Sequence, residues 1–197
     1  MSVHVTHPAP DFKAVTVMPD NSFNENFRLS DFRGKYVVLF FYPMDFTFVC
    51  PSEIMAFDKQ LPDFAERNCQ VIGVSVDSQF SHLAWKNTPI EKGGIGNIQY
   101  PLVADITKQI ARNYGVLFEE SVALRGLFLI DKEGVVRHAL INDLPLGRSV
   151  AETLRMLDAL QHHEQYGEVC PANWSKGKEA MTATAQGVAN YLDKHNK

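Results

Sequence analysis

Residues 36–42 form an uninterrupted apolar run, Tyr-Val-Val-Leu-Phe-Phe-Tyr. A run of this length without polar positions is typical of a central strand whose two faces are both covered. Further strands are predicted at residues 70–76, 102–104, 126–130 and 135–140. Helical patterns are predicted at residues 52–66, 80–86, 106–114 and 150–161, and Pro62 is expected to bend or interrupt the first of them. Helices and strands therefore alternate through most of the chain.

This alternation predicts an α/β layered sheet. Residues 131–134, Asp-Lys-Glu-Gly, are a hairpin turn signal between two strands, so the sheet is expected to be mixed. Residues 1–35 are predicted to be irregular with short strand-like pieces. The order is that of a thioredoxin-like fold with an N-terminal extension. We predict one domain at residues 1–166 and a C-terminal helical tail at residues 167–197, with its helix at about residues 178–194.

Charge and composition narrow the classes of function. The 197 residues carry a formal net charge of −4 and contain no basic run, which argues against nucleic acid or an anionic membrane as the main partner. No apolar run approaches the roughly 20 residues that cross a bilayer. The N-terminus has neither a basic segment nor an apolar segment of a secretory signal, so we expect a soluble, cytoplasmic protein.

The cysteines carry the most chemistry. Three cysteines, at positions 50, 69 and 170, do not make a disulfide scaffold, and without a CxxC pair a zinc site would need an unusual ligand set. Cys50 lies where a buried strand is expected to turn into a helix. Unpaired backbone N–H groups at a helix start stabilise an anion, and a thiolate is an anion. Thr47 can offer a hydroxyl, and Pro43 stiffens the loop.

A cation near Cys50 would favour the thiolate further. Arg125 is the best candidate, because it opens an apolar strand where an unpaired guanidinium is expensive to bury. A thiolate that takes an oxygen atom from a peroxide becomes a sulfenic acid, which a second thiol can capture as a disulfide. The sequence Val-Cys-Pro around Cys50 recurs at residues 169–171, so Cys170 is a candidate for that second thiol.

These residues resemble a known motif. Pro43-x-x-x-Thr47-x-x-Cys50 is similar to the active-site motif of the peroxiredoxins. Residues 169–174, Val-Cys-Pro-Ala-Asn-Trp, resemble the resolving-cysteine segment of the typical two-cysteine subfamily. Further matches run along almost the whole chain, at residues 8–12, 73–78, 80–85, 125–128 and 144–149.

The resemblance implies a thiol-specific peroxidase that reduces hydrogen peroxide and organic hydroperoxides. It implies that Cys50 is the peroxidatic residue, that Cys170 is the resolving residue, and that Pro43, Thr47 and Arg125 complete the active site. Around them the resemblance implies a supporting layer. A glutamate is expected to bridge two arginines there, and two aromatic residues are expected to shape the pocket. The members of that layer are Glu53, Arg148, Tyr42 and Trp85.

The resemblance also implies partners. In the family the two cysteines pair between the subunits of a head-to-tail homodimer, and dimers commonly assemble into decamers. The expected reductant is thioredoxin or a flavoprotein disulfide reductase. No cofactor and no metal are expected, and neither nucleic acid nor a membrane is an expected partner.

Simpler interpretations exist for each residue. Cys50 and Cys170 could be inert packed thiols, Thr47 a helix cap, and Arg125 a structural ion-pair residue. Cys69 leads into a buried strand without polar neighbours, so a packing role is favoured. The Gly-Gly-Ile-Gly loop at residues 93–96 precedes no clear helix and is a weak phosphate site. His162 and His163 are expected on the solvated surface of a helix.

Two other functions remain open. A thiol–disulfide exchanger would normally carry CxxC at the helix start, where this chain has Val-Cys-Pro-Ser. Consumption of peroxide with stoichiometric oxidation of a dithiol separates the two activities. The third possibility is a ring-forming holdase chaperone, which a Cys50→Ser variant would retain if that role were independent of the chemistry.

Overall fold

A computed structural model of the protein describes residues 3–195. The chain divides into two compact units, with the boundary between Val150 and Ala151. The predicted division after residue 166, into a domain and a tail, stays a prediction. Among the described residues, no helix is both long enough and apolar enough to cross a membrane.

The first unit is built on a mixed sheet. Within residues 3–195, seven strands pair in the order β2-β1-β5-β4-β3-β8-β9, and β6 pairs with β7 separately. The strands are β1 Lys13–Val17, β2 Phe23–Arg28, β3 Tyr36–Phe41, β4 Cys69–Ser75, β5 Leu102–Ala104, β6 Leu117–Phe118, β7 Val122–Ala123, β8 Arg125–Ile130 and β9 Val136–Asn142. The helices are α1 Cys50–Lys59, α2 Leu61–Glu66, α3 Gln79–Asn87, α4 Gln109–Asn113, α5 Val150–Tyr166 and α6 Ala185–His195.

Strand β3 is the centre of the sheet. Every residue of it is buried, and it pairs in parallel with β4 and antiparallel with β8. The prediction of a central strand covered on both faces is therefore confirmed. Phe40 of β3 stacks on Phe57 of α1 with ring centroids 4.6 Å apart. This contact fixes α1 against the sheet and so fixes Cys50, the first residue of α1.

The structure confirms the expected break in the first helix and revises the N-terminal region. As predicted, Pro62 interrupts the helical pattern at residues 52–66: two helices meet at Gln60, and Pro62 lies in the first turn of α2. A proline is tolerated in a first turn because the N–H that it lacks has no partner there. The N-terminal region is more regular than expected. Its β1 and β2 pair antiparallel, and β1 extends the sheet beside β5.

The second unit contains most of α5, the segment with Cys170, and α6. The expected start of the last helix at about residue 178 is wrong, because α6 begins at Ala185. Val169 and Met181 exchange two backbone hydrogen bonds of 2.8 and 2.9 Å, which keeps Met181 extended. The hydroxyl of Thr184 then accepts the N–H of Gly187 at 3.0 Å and caps the first turn.

Candidate active site

Cys50 occupies the first turn of α1 and its side chain is fully buried. Thr47 Oγ1 lies 2.9 Å from Cys50 Sγ and 2.8 Å from the carbonyl oxygen of Met44. Both of these atoms are acceptors, so the single hydroxyl proton turns to one or the other. Arg125 Nη1 donates to Cys50 Sγ at 3.3 Å. The sulfur therefore faces two donors at a helix start, an arrangement that stabilises a thiolate.

Arg125 is held by a buried carboxylate. Its side chain opens β8 and is almost completely buried. Nη1 donates to Glu53 Oε2 at 2.6 Å, and Nε donates to the carbonyl of Leu144 at 2.7 Å. Glu53 lies one turn after Cys50 in α1, so the helix positions the nucleophile and the carboxylate that orients its cation.

Arg148 completes the cluster from the other side. Its Nε and Nη2 donate to the two oxygens of Glu53 at 2.8 and 3.0 Å. Its Nη1 donates to the carbonyls of Phe41 and Gly126 at 2.7 and 2.6 Å. Two guanidinium groups and one carboxylate leave one buried positive charge. A thiolate at Cys50 would balance that charge, whereas a neutral thiol would not.

The aromatic residues form a separate layer around the loop before Cys50. Tyr42 donates through its hydroxyl to Asp45 Oδ1 at 2.9 Å. Trp85 lies 5.7 Å from the ring of Phe46 and 6.1 Å from that of Tyr42, and its Nε1 donates to the carbonyl of Gly93. Phe46 has a φ of 55°, which is rare for a side chain of this size. These contacts hold the loop in that conformation.

Among the predicted site residues, hydrogen bonds link Thr47, Cys50, Glu53, Arg125 and Arg148. Pro43 is buried at the start of the same loop, next to β3.

Sequence reasoning missed a polar network under this loop. Asp45 Oδ2 lies 2.8 Å from His82 Nδ1 and accepts from Ser81 Oγ at 2.7 Å. The backbone N–H of Asp45 donates to Asp77 Oδ2 at 2.8 Å. Burial, and then the charge of Asp45, raise the pKa of Asp77 and hold the pKa of Tyr42 well above its ordinary value. No local pattern links positions 45 and 82, because only the folded sheet brings them together.

The other two cysteines have different surroundings. Cys69 is buried at the start of β4, and burial raises the pKa of its thiol to about 12. Cys170 lies in the second unit, with Sγ 3.6 Å from the carbonyl of Ala159. Burial, and then the charge of Glu168, raise the pKa of Cys170, and Arg155 opposes them. In this structure all three cysteines are free thiols.

The sequence of the whole chain can be compared with those of known proteins. The AhpC/TSA family matches residues 5–139, and the C-terminal domain of 1-Cys peroxiredoxin matches residues 159–194. This chain belongs to the AhpC/TSA family of peroxiredoxins. Alkyl hydroperoxide reductase C of Helicobacter pylori strain J99 is 62% identical over 193 residues, which are 98% of each chain. Peroxiredoxin-2 of Rattus norvegicus is 53% identical over 196 residues, 99% of this chain and 98% of the relative.

Solved structures agree with the sequence comparison. The reduced 2-Cys peroxiredoxin of Plasmodium vivax superposes with a TM-score of 0.95 at 58% identity, and the match covers 97% of this chain and 99% of that one. The predicted thioredoxin-like α/β fold is thus confirmed, as is the predicted thiol peroxidase activity. This peroxiredoxin is an enzyme, and the exchanger and chaperone interpretations are not favoured.

Proposed function

We propose that this peroxiredoxin reduces hydrogen peroxide and organic hydroperoxides with Cys50 as the nucleophile. The observation that carries the proposal is the pair of donors on Cys50 Sγ, Thr47 Oγ1 at 2.9 Å and Arg125 Nη1 at 3.3 Å. Since both donors address the same sulfur at a helix start, they favour the thiolate, which is the reactive form. We propose that Pro43, which is buried at the start of the same loop, helps to shield this thiolate from bulk water.

In the first step the Cys50 thiolate attacks one peroxide oxygen. An S–O bond forms as the O–O bond breaks, and the departing oxygen takes the electron pair and then a proton, leaving as water or an alcohol. Negative charge therefore moves from the sulfur to the leaving oxygen. Thr47 and Arg125 are suited to follow that charge, because preorganised donors stabilise a transition state most where charge develops. Glu53 and Arg148 hold Arg125 in place, while Tyr42 and Trp85 shape the loop.

In the second step we assign Cys170 as the resolving thiol. Its sulfur attacks the Cys50 sulfenic acid, an S–S bond forms, and the hydroxyl leaves with the thiol proton as water. We propose that this disulfide joins two subunits of a homodimer, and that thioredoxin or a flavoprotein disulfide reductase returns it to two thiols. We do not assign Cys69 as the partner, because it is buried at the start of β4 and burial raises its pKa to about 12, whereas Cys170 is only partly buried.

Self-association is supported by two surfaces of the first unit. Strand β9 lies at the edge of the sheet and exposes Ile141, and an edge strand is a template for pairing with a second chain. Phe23 and Phe80 are exposed and pack edge to face with ring centroids 5.6 Å apart. We propose a homodimer that assembles further, with a decamer as the expected ring.

A cytoplasmic location also stays a prediction.

A coupled assay with several peroxides and reductants tests the activity. Cys50→Ser is expected to abolish turnover, and a variant that kept near wild-type turnover would refute the assignment. After one equivalent of peroxide, wild-type protein is expected to run as a covalent dimer on a non-reducing gel. Cys170→Ser is expected to lose that dimer but to keep one turnover per Cys50, whereas Cys69→Ser leaves the dimer unchanged. A monomeric Cys50–Cys170 product would refute pairing between subunits.

A further inference from the structure

His162 contacts the chain on both sides of Cys170. Its Nε2 lies 2.8 Å from Glu168 Oε2, two residues before the cysteine. Its ring also packs on Trp174, four residues after the cysteine, with centroids 4.8 Å apart. The prediction that His162 lies on a solvated helix face is therefore wrong, since only 20% of its side chain is exposed.

Neighbouring contacts make the same segment a fixed part of the second unit. His163 Nδ1 lies 2.7 Å from the carbonyl oxygen of Glu168, and Arg155 Nη1 donates to the carbonyl of Trp174 at 2.7 Å. Trp174 is 3% exposed, and its Nε1 donates to the carbonyl of Lys178. The segment at residues 168–174 is thus anchored to α5 before and after its cysteine.

This anchoring opposes the resolving step. Cys170 Sγ lies 3.6 Å from the carbonyl of Ala159 in α5. In the proposed disulfide its covalent partner is the Cys50 sulfur of a second subunit, at about 2.05 Å. In the proposed step the segment leaves α5 before that S–S bond forms, so that Cys170 gives up its contact with Ala159. Any contact that favours the anchored state adds to the barrier of that step.

We propose that His162 is a positioning residue that holds the Cys170 segment on α5 and sets the rate at which Cys170 resolves the Cys50 sulfenic acid. The inference rests on the proposed function of Cys170. Among the contacts described above, only the His162 side chain touches residues on both sides of the cysteine, Glu168 before it and Trp174 after it. Glu168 lies nearer to Cys170 in the sequence than Trp174 does, so losing the His162–Glu168 bond frees the chain on the nearer side of the cysteine.

The contact between His162 and Glu168 pairs an imidazole with a carboxylate. A protonated ring gives a charge-assisted bond to the Glu168 carboxylate and a cation beside the Trp174 ring. His163 is its neighbour in α5. The other charged groups around the ring line the two depressions on either side of it: Asp158, Lys176 and Lys178 in one, and Glu168, Lys178 and Glu179 in the other.

Rapid mixing of the reduced enzyme with one equivalent of peroxide tests the proposal. Oxidation of Cys50 and formation of the disulfide are followed separately, by quenching and non-reducing mass spectrometry. His162→Phe keeps a ring between Tyr166 and Trp174 but cannot bond to Glu168. We expect its disulfide step to be about fivefold faster than in wild type, the factor that roughly 1 kcal/mol of barrier represents, with the first step unchanged. Tyr166→Phe is the matched control and leaves both steps unchanged.

Two further comparisons test whether the bond between His162 and Glu168, and not a general loosening of the Cys170 segment, sets the rate of the disulfide step. If His162 and Glu168 act through one bond, a His162→Phe/Glu168→Gln double variant is no faster than the faster single variant. His162→Gln keeps a neutral donor to Glu168, so we expect its disulfide step to be faster than that of wild type and slower than that of His162→Phe.

The possible failures are distinguishable. A disulfide step that is unchanged or slower in His162→Phe, an additive double variant, or a His162→Gln step as fast as that of His162→Phe would each overturn the role of His162. None of these results would affect the assignment of Cys50 and Cys170. If the wild-type enzyme forms no Cys50–Cys170 disulfide at all, the proposed function itself fails.

Discussion

Arg148 donates twice to the same oxygen of Glu53, with its backbone N and its Nε each 2.8 Å from Oε1. The carboxylate is thereby fixed at residue 148 by the backbone as well as by the side chain. Its other oxygen, Oε2, is then directed at Arg125. The orientation of the cation at Cys50 therefore depends on a residue that does not touch the sulfur.

Replacing this carboxylate is expected to be costly. Glu53→Gln leaves two buried guanidinium groups with no anion between them, and breaking a buried ion pair costs about 3–5 kcal/mol. We expect a fall of that size in the free energy of unfolding, measured with urea, and slower oxidation of Cys50 because Arg125 is no longer oriented. Glu66→Gln is the control, since that side chain is 73% exposed. Equal unfolding free energies for the two variants would contradict the structural role of Glu53.

The buried thiol of Cys69 predicts a pH dependence of stability. Folding raises its pKa from the ordinary 9.0 to about 12, so the folded state keeps a proton that the unfolded state loses. The stabilisation is complete below the lower value and is lost as the pH rises toward the higher value. Between about pH 8 and 10.5, we expect wild type to lose about 2 kcal/mol more unfolding free energy than Cys69→Ala.

Urea unfolding of both proteins at several pH values measures this difference. The three tyrosines whose pKa is raised by burial are present in both proteins and cancel in the comparison. Parallel curves for wild type and Cys69→Ala would show that the thiol titrates normally. Alkylation at about pH 8 is expected to label Cys69 only after unfolding, since the thiolate is the nucleophile.

Adjacent glycines in the Gly-Gly-Ile-Gly loop are predicted to respond differently to the same substitution. A Cβ at Gly94 would lie 1.8 Å from the carbonyl oxygen of Thr88, so the backbone has to move. A Cβ at Gly93 meets no atom within 4 Å, and only its φ of +83° opposes alanine. We expect about 1 kcal/mol of destabilisation for Gly93→Ala and more than about 2 kcal/mol for Gly94→Ala, by thermal or urea unfolding. The reverse order would contradict the close approach.

Short sequence patterns were enough to predict those helices, strands and turns whose formation depends on neighbouring residues. The apolar run of β3, the alternation of helices and strands, and the hairpin around residues 131–134 were all legible because burial sets the period of apolar residues. Thr47 and Cys50 could be predicted because they lie within one strand-to-helix turn, and Arg125 because it opens an apolar strand where an unpaired guanidinium is expensive to bury. Glu53 and Arg148 came from the resemblance, since they are 95 residues apart in the sequence.

Other features depend on tertiary contacts that leave no local pattern. The network of Asp45 and His82 spans 37 residues, and its members look like ordinary surface residues in the sequence. The start of α6 was misplaced because Met181 has helical surroundings in the sequence but pairs with Val169 in the fold. His162 was assigned to solvent because nothing near it predicts that Trp174 folds back onto its ring.

The hydroxyl of Thr47 gives the most direct test of the chemistry. Thr47→Val keeps the shape of the side chain but removes the donor that lies 2.9 Å from Cys50 Sγ. Removing one donor to a developing charge costs about 10²–10³ in rate, so we expect a fall of that order in the rate constant for oxidation of Cys50 by hydrogen peroxide. Thr47→Ser restores the hydroxyl and is expected to restore most of the rate.

Thr47→Val also removes a bond to the carbonyl of Met44, which a matched control must take into account. Ser52→Ala provides it, because Ser52 Oγ donates to the carbonyl of Val49 at 2.7 Å in the same turn and has no hydrogen bond to the sulfur. If loss of a side-chain bond to the loop backbone were the cause, both variants would slow by similar factors. We expect Ser52→Ala to stay within about twofold of wild type, since a hydrogen bond that only braces the loop contributes about 1 kcal/mol to stability and nothing to the transition state. Stopped-flow fluorescence with hydrogen peroxide as the varied reactant measures both rate constants, and equal losses would remove Thr47 from the chemistry.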